Sequence, residues 1–517
     1  MNRFLTRLAP TADRLRRVTG RGQRSSMLVG LIVGVAMAAL IAGSASAAPG
    51  DTTLVSRSSG GVQGNGRSEI QTNGVSAHSA VSADGRYVAF QSSATNLVTG
   101  DTNQATDVFV HDRQTGTTER ASVGSGGAQS NDFASSFDPS ISADGRYVAF
   151  TSSASNWVSD PDQVNDVFVH DRVTGLTQIV SGSGDGSANG RDPAISADGR
   201  YVAFSTHYRY FTGDDVSGAS IDVYVWDRMT GTVVDWASPY TPGPGSGSPA
   251  SLYPSISADG QYVAFESSTA NLVAGDTNGT GDVFVRDRQA GTTELVSVDS
   301  AGGPADSVSQ WAVVSADGRF VAFESRANDL VVPDNVFTFE LYVGDRVAGK
   351  TERVSLTSSG TQVSGDVGRA SVSADGRLVA FSAYAQLAPS DNDTAQDVYV
   401  RDRAAGTIHQ ASLGSDGSNE LFGSEPPALA ADGSMVAFDT AGVLVAGDTN
   451  GDFDVYVHEL PLPPAPTNEP PVVDAGPDAS VPEGGTFSSS GSFTDPDSSS
   501  WSARWTTATA SARNRSR

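Results

Sequence analysis

One nine-residue phrase, S-A-D-G-R-Y-V-A-F, stands at 82–90 and returns at 142–150 and 196–204. It recurs with small changes at 257–265, 315–323, 373–381 and 430–438. The aspartates of the copies are Asp84, Asp144, Asp198, Asp259, Asp317, Asp375 and Asp432, so the spacing stays between 54 and 61 residues. A steady period of that size marks a repeat architecture, in which one unit cannot bury its own apolar face and neighbours must stack to do so.

Each copy carries four strand signals, shown cleanly by the fourth at 253–257, 262–267, 282–287 and 292–298. These segments are β-branched and aromatic, and several are apolar on both faces, as in strands sandwiched between neighbouring sheets. Glycines at the turns, such as Gly260 and Gly291, supply the positive φ that a hairpin needs. Four antiparallel strands in each of seven copies predict an all-β chain, a seven-bladed β-propeller over 51–460. The seventh copy has no fourth strand, because the chain runs from 454–458 into Pro461, Pro463 and Pro464. The orphan segment T-T-L-V-S at 52–56 matches 292–297 with one residue deleted. It is expected to complete the last blade and remove an open edge.

The phrase S-A-D-G-R-Y-V-A-F followed by D-V-F-V-x-D-R-x-x-G resembles the WD40-like (PD40) repeat of TolB-type propellers, over about four-fifths of the chain. The resemblance implies the propeller fold but no single activity, since such propellers serve many roles. The family's namesake has an extra N-terminal domain and a different number of blades.

The ends read differently from the body. Seven arginines up to Arg24 precede an apolar run at 27–43 and the small residues Ala45-Ser46-Ala47. This is the pattern of an export signal over 1–47 cleaved after Ala47. It predicts a secreted or wall-associated protein with no membrane segment after cleavage. The alternative is an uncleaved anchor, as 17 apolar residues sit at the lower edge of a bilayer span. After the propeller, 461–467 is a proline-rich linker. The stretch N-E-P-P-V-V-D-A-G-P-D-A-S-V-P-E-G-G-T-F from Asn468, with G-S-F-T-D-P-D from Gly491, resembles the opening of a polycystic-kidney-disease (PKD) type immunoglobulin-like module. Residues 468–517 are too few for its two sheets, so a truncated, poorly ordered fragment is expected. Residues 504–510 can be back-translated so that another frame reads V-D-Y-G-D-G, the continuation such a module has. A frameshift, or a decaying fragment of a larger surface protein, would leave this mark.

With 33 basic against 59 acidic residues the formal charge is −26, and loss of 1–47 would make it −32. That balance argues against nucleic acid as partner. There is no cysteine, which excludes disulfides, thiolate metal sites and cysteine catalysis. The six histidines fall at scattered or ring-related phases and form no triad, and there is no G-x-S-x-G.

Two patterns carry candidate sites. The segment between the second and third strands repeats D-x-[D/N]-x-x-x-D, as Asp101/Asn103/Asp107, Asp160/Asp162/Asp166, Asp276/Asn278/Asp282, Asp391/Asp393/Asp397 and Asp448/Asn450/Asp454. The last copy adds Asp452. Asp448, Asn450, Asp452 and Asp454 then stand at alternate positions, as in calcium loops, and Asp276, Asn278 and Asp282 form a weaker set. The competing reading is Asx-turns that cap a strand without metal. The second pattern is aromatic: Tyr208, Arg209, Tyr210 and Phe211 in one irregular copy, with Trp311 at a related phase. Exposed aromatics beside acids and an Arg suit carbohydrate or peptide binding on variable loops, against local packing under a long loop. The Asp-Arg pair after the third strand recurs in six copies and is expected to serve turns and contacts between blades. Together these features predict a monomeric, non-enzymatic binding module for an extracellular protein or glycan. The rival is a polysaccharide lyase or glycoside hydrolase, which would need acids from different blades to converge in the central funnel.

Overall fold

The computed structural model describes residues 50–461 except 71–79, 158–163, 183–188, 208–220, 240–249, 333–337 and 420–426, together with the strands Val472–Asp474 and Ser492–Thr494. The proposed signal segment, the remainder of the linker and most of 468–517 lie outside the described residues. The chain divides into two units, 1–460 and 461–517. In the second unit Val472–Asp474 pairs antiparallel with Ser492–Thr494.

The first unit is a seven-bladed β-propeller, all-β with no helix among its described residues. Each blade is a four-stranded antiparallel sheet. In blade four the strands are Ser251–Ile256, Tyr262–Ser267, Asp282–Asp287 and Thr292–Leu295. The first begins two residues earlier than the sequence suggests and the fourth ends three earlier. In blades two to seven the first strands contact one another from blade to blade and so line the axis. The V-A-F of the second strand packs on the V-[FY]-V of the third, or L-Y-V in blade five. Their aromatic rings meet at 5.8–6.2 Å, from Phe90 on Phe109 to Phe438 on Tyr456.

The repeated phrase is consumed at one end of the ring. Ser82 Oγ donates to Asp84 Oδ1 at 2.8 Å, and the Arg86 amide donates to the same oxygen. The Tyr87 amide returns to Ser82 Oγ at 2.9 Å. This locks a turn whose Ala83 amide points at the next blade, where it meets the Ala143 carbonyl at 3.0 Å. The same bond recurs from Ala143 to Ala197, Ala197 to Ala258, Ala258 to Ala316, Ala316 to Ala374 and Ala374 to Ala431, and Asp432 closes the circle onto Ala83. Each turn glycine receives the preceding blade's large side chain. A Cβ on Gly199 would lie 2.1 Å from Tyr147 Cδ2, and one on Gly145 the same distance from Tyr87 Cδ2.

The Asp-Arg pair knits this end further. Arg86 grips Asp112 with two bonds of 2.9 and 2.7 Å, while Asp112 Oδ1 also caps the Gln114 amide. Arg172 of blade two lies 4.5 Å over the Tyr87 ring of blade one and bonds Glu119 there. Both groups of the pair are thus occupied in turn hydrogen bonds and inter-blade ion pairs.

Closure uses the N-terminal strand as expected. Thr52–Leu54 pairs antiparallel with the third strand of blade seven, Thr52 opposite His458. Its side chains repeat the role of a fourth strand elsewhere. Thr52 Oγ1 lies 2.9 Å from His458 Nδ1, as Thr118 lies 2.8 Å from His111 and Thr177 2.9 Å from His170. Ser56 Oγ donates to Asp454, as Ser122 does to Asp107 and Ser297 to Asp282.

Deleting 51–56 should therefore expose a full strand edge and unseat His458; a thermal melt unchanged by the deletion would rule out this closure. Gly199→Ala and Gly175→Ala provide a second test, because both residues have φ near +69° but only Gly199 has a ring against it. We expect roughly 1–2 kcal/mol for Gly175→Ala and roughly 2–5 for Gly199→Ala, where overpacking adds. Equal urea midpoints for the two variants would contradict the packing account.

Candidate functional site

Toward the opposite end of the axis the first strands of five blades are irregular. In blades two to six its register with the second strand shifts, between Phe137 and Ser140, Arg191 and Ala194, Leu252 and Ser255, Gln310 and Val313, and Val367 and Ala370. The bulges hold Asp138, Asp192, Tyr253 and Trp311 at φ of 53°, 55°, 51° and 58°. Positive φ is uncommon outside glycine and a marked strain for bulky aromatic residues. Proline follows three of the four and removes the amide that a regular ladder would use. The bulge turns one side chain per blade out of the ladder, an aspartate in blades two and three, a tyrosine in blade four and a tryptophan in blade five.

The re-aimed side chains converge. The Trp311 and Tyr253 rings stand 4.1 Å apart at 35°. The Arg369 guanidinium of blade six lies 3.7 Å over the Trp311 ring. Beneath them the second strands contribute Glu266 and Glu324. Glu266 Oε2 accepts the Trp311 amide at 3.1 Å and so fixes the bulge. Glu324 lies 3.5 Å from Gln310 Nε2. Asp192 from blade three sits within electrostatic reach of Asp138, Glu266 and Arg191. Tyr253, Trp311 and Arg369 are half-buried and reachable, whereas Asp192 and Glu324 are only 1% and 4% exposed.

Burial sets the protonation of these acids. Loss of hydration, reinforced by the Asp138 charge, pushes Asp192 up to about 8. Desolvation carries Glu324 to about 8 against the pull of Arg369, and Glu266 to about 7 against the Trp311 amide and Arg369. The Tyr253 hydroxyl rises to about 12 by burial and the nearby acids. The turn acids behave oppositely: the Arg319 guanidinium holds Asp345 at about 2.

Of the residues predicted from sequence, Trp311 belongs to this cluster. Tyr208, Arg209, Tyr210 and Phe211 lie outside the described residues. The acidic segments sit apart, in separate blades. In blade seven Gln63 Nε2 donates to Asp448 Oδ1 at 2.7 Å and to Asp454 Oδ2 at 2.6 Å, and Tyr456 donates to Asp448 Oδ2. Asn450 Oδ1 accepts the Asp452 amide at 2.9 Å in an Asx-turn, and Asp452 points to solvent. In blade four Asn278 Nδ2 donates to Asp282 Oδ2 at 2.7 Å, and among the described residues no side-chain donor reaches the buried Asp276 carboxylate. Asx-turns are present, then, and the last Asp of the pattern serves the strand-clamping serine.

Asp138, Asp192, Tyr253, Glu266, Glu324 and Arg369 were not singled out from sequence. The signal was available. Between the near-constant V-A-F and the following small residue, one position reads Gln91, Thr151, Ser205, Glu266, Glu324, Ser382 and Asp439. A variable residue inside a repeated strand marks a side chain freed from the repeat's structural duties.

No protein-family model matches the chain, and no curated protein matches it. Solved structures resemble its fold at low identity. TolB from Acinetobacter baumannii is 14% identical with a TM-score of 0.35, over 59% of this chain and 58% of that one. An oligogalacturonate lyase from Vibrio parahaemolyticus is 13% identical with a TM-score of 0.47, over 77% and 91%. The β-propeller domain of the Trilobed protease from Pyrococcus furiosus is 12% identical with a TM-score of 0.42, over 69% and 88%. The chain thus spans little more than half of that TolB and most of the other two. These similarities concern the fold alone.

The protonation pattern has a measurable consequence. A carboxyl raised by folding keeps its proton in the native state where the unfolded chain has lost it. The native state then binds more protons, and stability from Asp192, Glu266 and Glu324 is full below about pH 4 and declines toward pH 7–8. The melting temperature should fall from about pH 5 to about pH 8.5, and the fall should be smaller in Asp192→Asn/Glu324→Gln. A wild-type melt flat across that interval would contradict the buried acids.

Proposed function

We propose that this protein is an exported binding module that takes a carbohydrate at the bulged end of its central channel. One observation carries the reading: the half-buried Trp311–Tyr253 pair, held over buried carboxyls and beside Arg369. A stacked aromatic pair offers a flat apolar platform to the C–H face of a sugar ring. Convergent polar groups around it supply the directional bonds that fix a ligand. The strain at Tyr253 and Trp311 is consistent with a site kept for binding, since such conformations persist where function requires them. The leader-like 1–47, the TolB-type repeat and the PKD-like tail agree with work outside the cell, on a wall or extracellular glycan.

A second reading has its own support. Asp192 and Glu266 lie within electrostatic reach of each other, and burial brings both near neutrality. General acid–base groups need that range, so a lyase or hydrolase acting on a polysaccharide stays in view.

The test uses a panel of neutral and acidic oligosaccharides against the mature protein. At least one should raise the wild-type melting temperature, and Trp311→Gly, which relieves the φ of 58°, should lose that shift while melting near the wild type. If none shifts the melt, or if the variant keeps the shift, the carbohydrate reading fails. Fragmentation of the bound glycan on long incubation, abolished by Glu266→Gln, would establish the enzymatic reading instead.

A further inference from the structure

The acids between the second and third strands face one residue at the end of the fourth strand, and that residue changes around the ring. By register it is Arg120 opposite Phe109 in blade one and Arg353 opposite Tyr342 in blade five. It is Gln410 opposite Tyr399 in blade six and Leu54 opposite Tyr456 in blade seven. Where it is arginine, the chain supplies its own cation. Arg120 Nη1 lies 3.2 Å from Asp101 and 3.0 Å from Asp107, and Arg353 Nε lies 2.8 Å from Glu340. Blade seven lacks the arginine, but Gln63, from the connection after the fourth strand, reaches both Asp448 and Asp454.

Blade six has neither device. Asp391, Asp393 and Asp397 each bring an oxygen within 4.8 Å of the others. Asn419 holds the place of Gln63, as the bridges Leu413 to Asn419 and Arg57 to Gln63 show. It is one methylene shorter, and its Nδ2 donates to Asp393 Oδ2 at 2.8 Å in place of the two acids that Gln63 reaches. Gln410 Nε2 is committed to Asn419 Oδ1 at 2.8 Å. Beside it, Gln410 Oε1 and Asp397 Oδ2 are both buried and find no hydrogen-bond partner within 3.5 Å among the described residues. Gln410 is 5% exposed and Asp397 2%. Buried acceptors left unmatched beside two further carboxylates are costly unless positive charge joins them.

We propose that blade six binds calcium between Asp391, Asp393, Asp397 and the Gln410 side-chain carbonyl, where the Arg120 and Arg353 guanidinium groups stand in blades one and five. The donor set is all oxygen, which selects a hard cation, and it is spread over a loop and two strands, which suits calcium's flexible coordination better than magnesium's strict octahedron. Groups behind the ligands orient them: Tyr399 donates to Asp391, the Ala395 amide to Asp393 and Ser412 to Asp397. Carbohydrate binding in the channel is not required for this site.

Calorimetric titration of the metal-stripped full chain with calcium chloride tests it. One equivalent should bind with a Kd of about 0.1–1 mM, the range of extracellular calcium modules, and raise the melting temperature. Gln410→Arg transplants the solution of blades one and five. It should lose that equivalent and the calcium-dependent shift, while melting no lower than calcium-free wild type. Asp393→Asn, at a half-buried loop position, should weaken binding at least about tenfold, and Asp448→Asn in blade seven should not. Absence of binding by the wild type, an undiminished equivalent in Gln410→Arg or Asp393→Asn, or equal affinity for magnesium would overturn the assignment.

Discussion

Around one mouth of the channel each turn alanine donates its amide to the turn alanine of the next blade, and the seventh bond returns to Ala83 through Asp432. These are main-chain bonds between units far apart in sequence, and they fix the angle between blades before any side chain is considered. For the amide to point outward the turn must be locked, which is the work of Ser82 and Asp84. For the blades to approach that closely the turn must carry glycine, because Tyr87 or its equivalent occupies the space a Cβ would need. The aromatic ring is then covered by an arginine from the following blade. Serine, alanine, aspartate, glycine and the large side chain are all used at once; the aromatic residue is replaced only by Leu378 and Met435, in blades six and seven, and the serine only by Ala430 in blade seven.

That joint use explains why so much of the fold was legible. The period gave the blade count, and the orphan T-T-L-V-S gave the closure, because Thr52 and Ser56 repeat the duties of Thr118 and Ser122. The Asp-Arg pair was legible for the same reason. The bulges were not, since a strand pattern carries no mark of φ. Tyr253-Pro254-Ser255 reads as the start of a strand, and only the register shift between Leu252 and Ser255 shows that Tyr253 is turned out of the ladder. Convergence was hidden too. Asp192, Tyr253, Trp311 and Arg369 are separated by about sixty residues each and meet only because the ring brings one phase of every blade to one mouth.

The two ends of the propeller divide the labour physically. At the short-turn end, repeated contacts hold the blades. At the other end the same rigidity supports strain: a tryptophan at φ of 58° persists because Glu266 takes its amide and the stack with Tyr253 and Arg369 holds its ring. Conformations of this kind cost about 1–3 kcal/mol each, and four of them at one phase are tolerable only on a scaffold whose stability is secured elsewhere. The acidic segments make a related point about repeats. One backbone frame is completed by arginine in two blades and by glutamine in another, so the frame demands positive or donor character there and leaves its source open.

The formal charge of −26 therefore describes three different populations. Turn acids such as Asp345 are held ionised by arginine. The strand-clamping acids are tied to serines, and Asp282 and Asp397 are raised to about 6 by burial. The channel acids Asp192 and Glu324 keep their protons at neutral pH. A protonated carboxyl donates as well as accepts, so each of these buried groups can serve a neighbouring polar atom in either sense. The cluster carries less negative charge than its residue types suggest, and the Arg369 guanidinium stands beside it over the Trp311 ring. What looks in the sequence like uniform acidity is, at the bulged end of the channel, a set of buried carboxyls that hold their protons beside an aromatic pair.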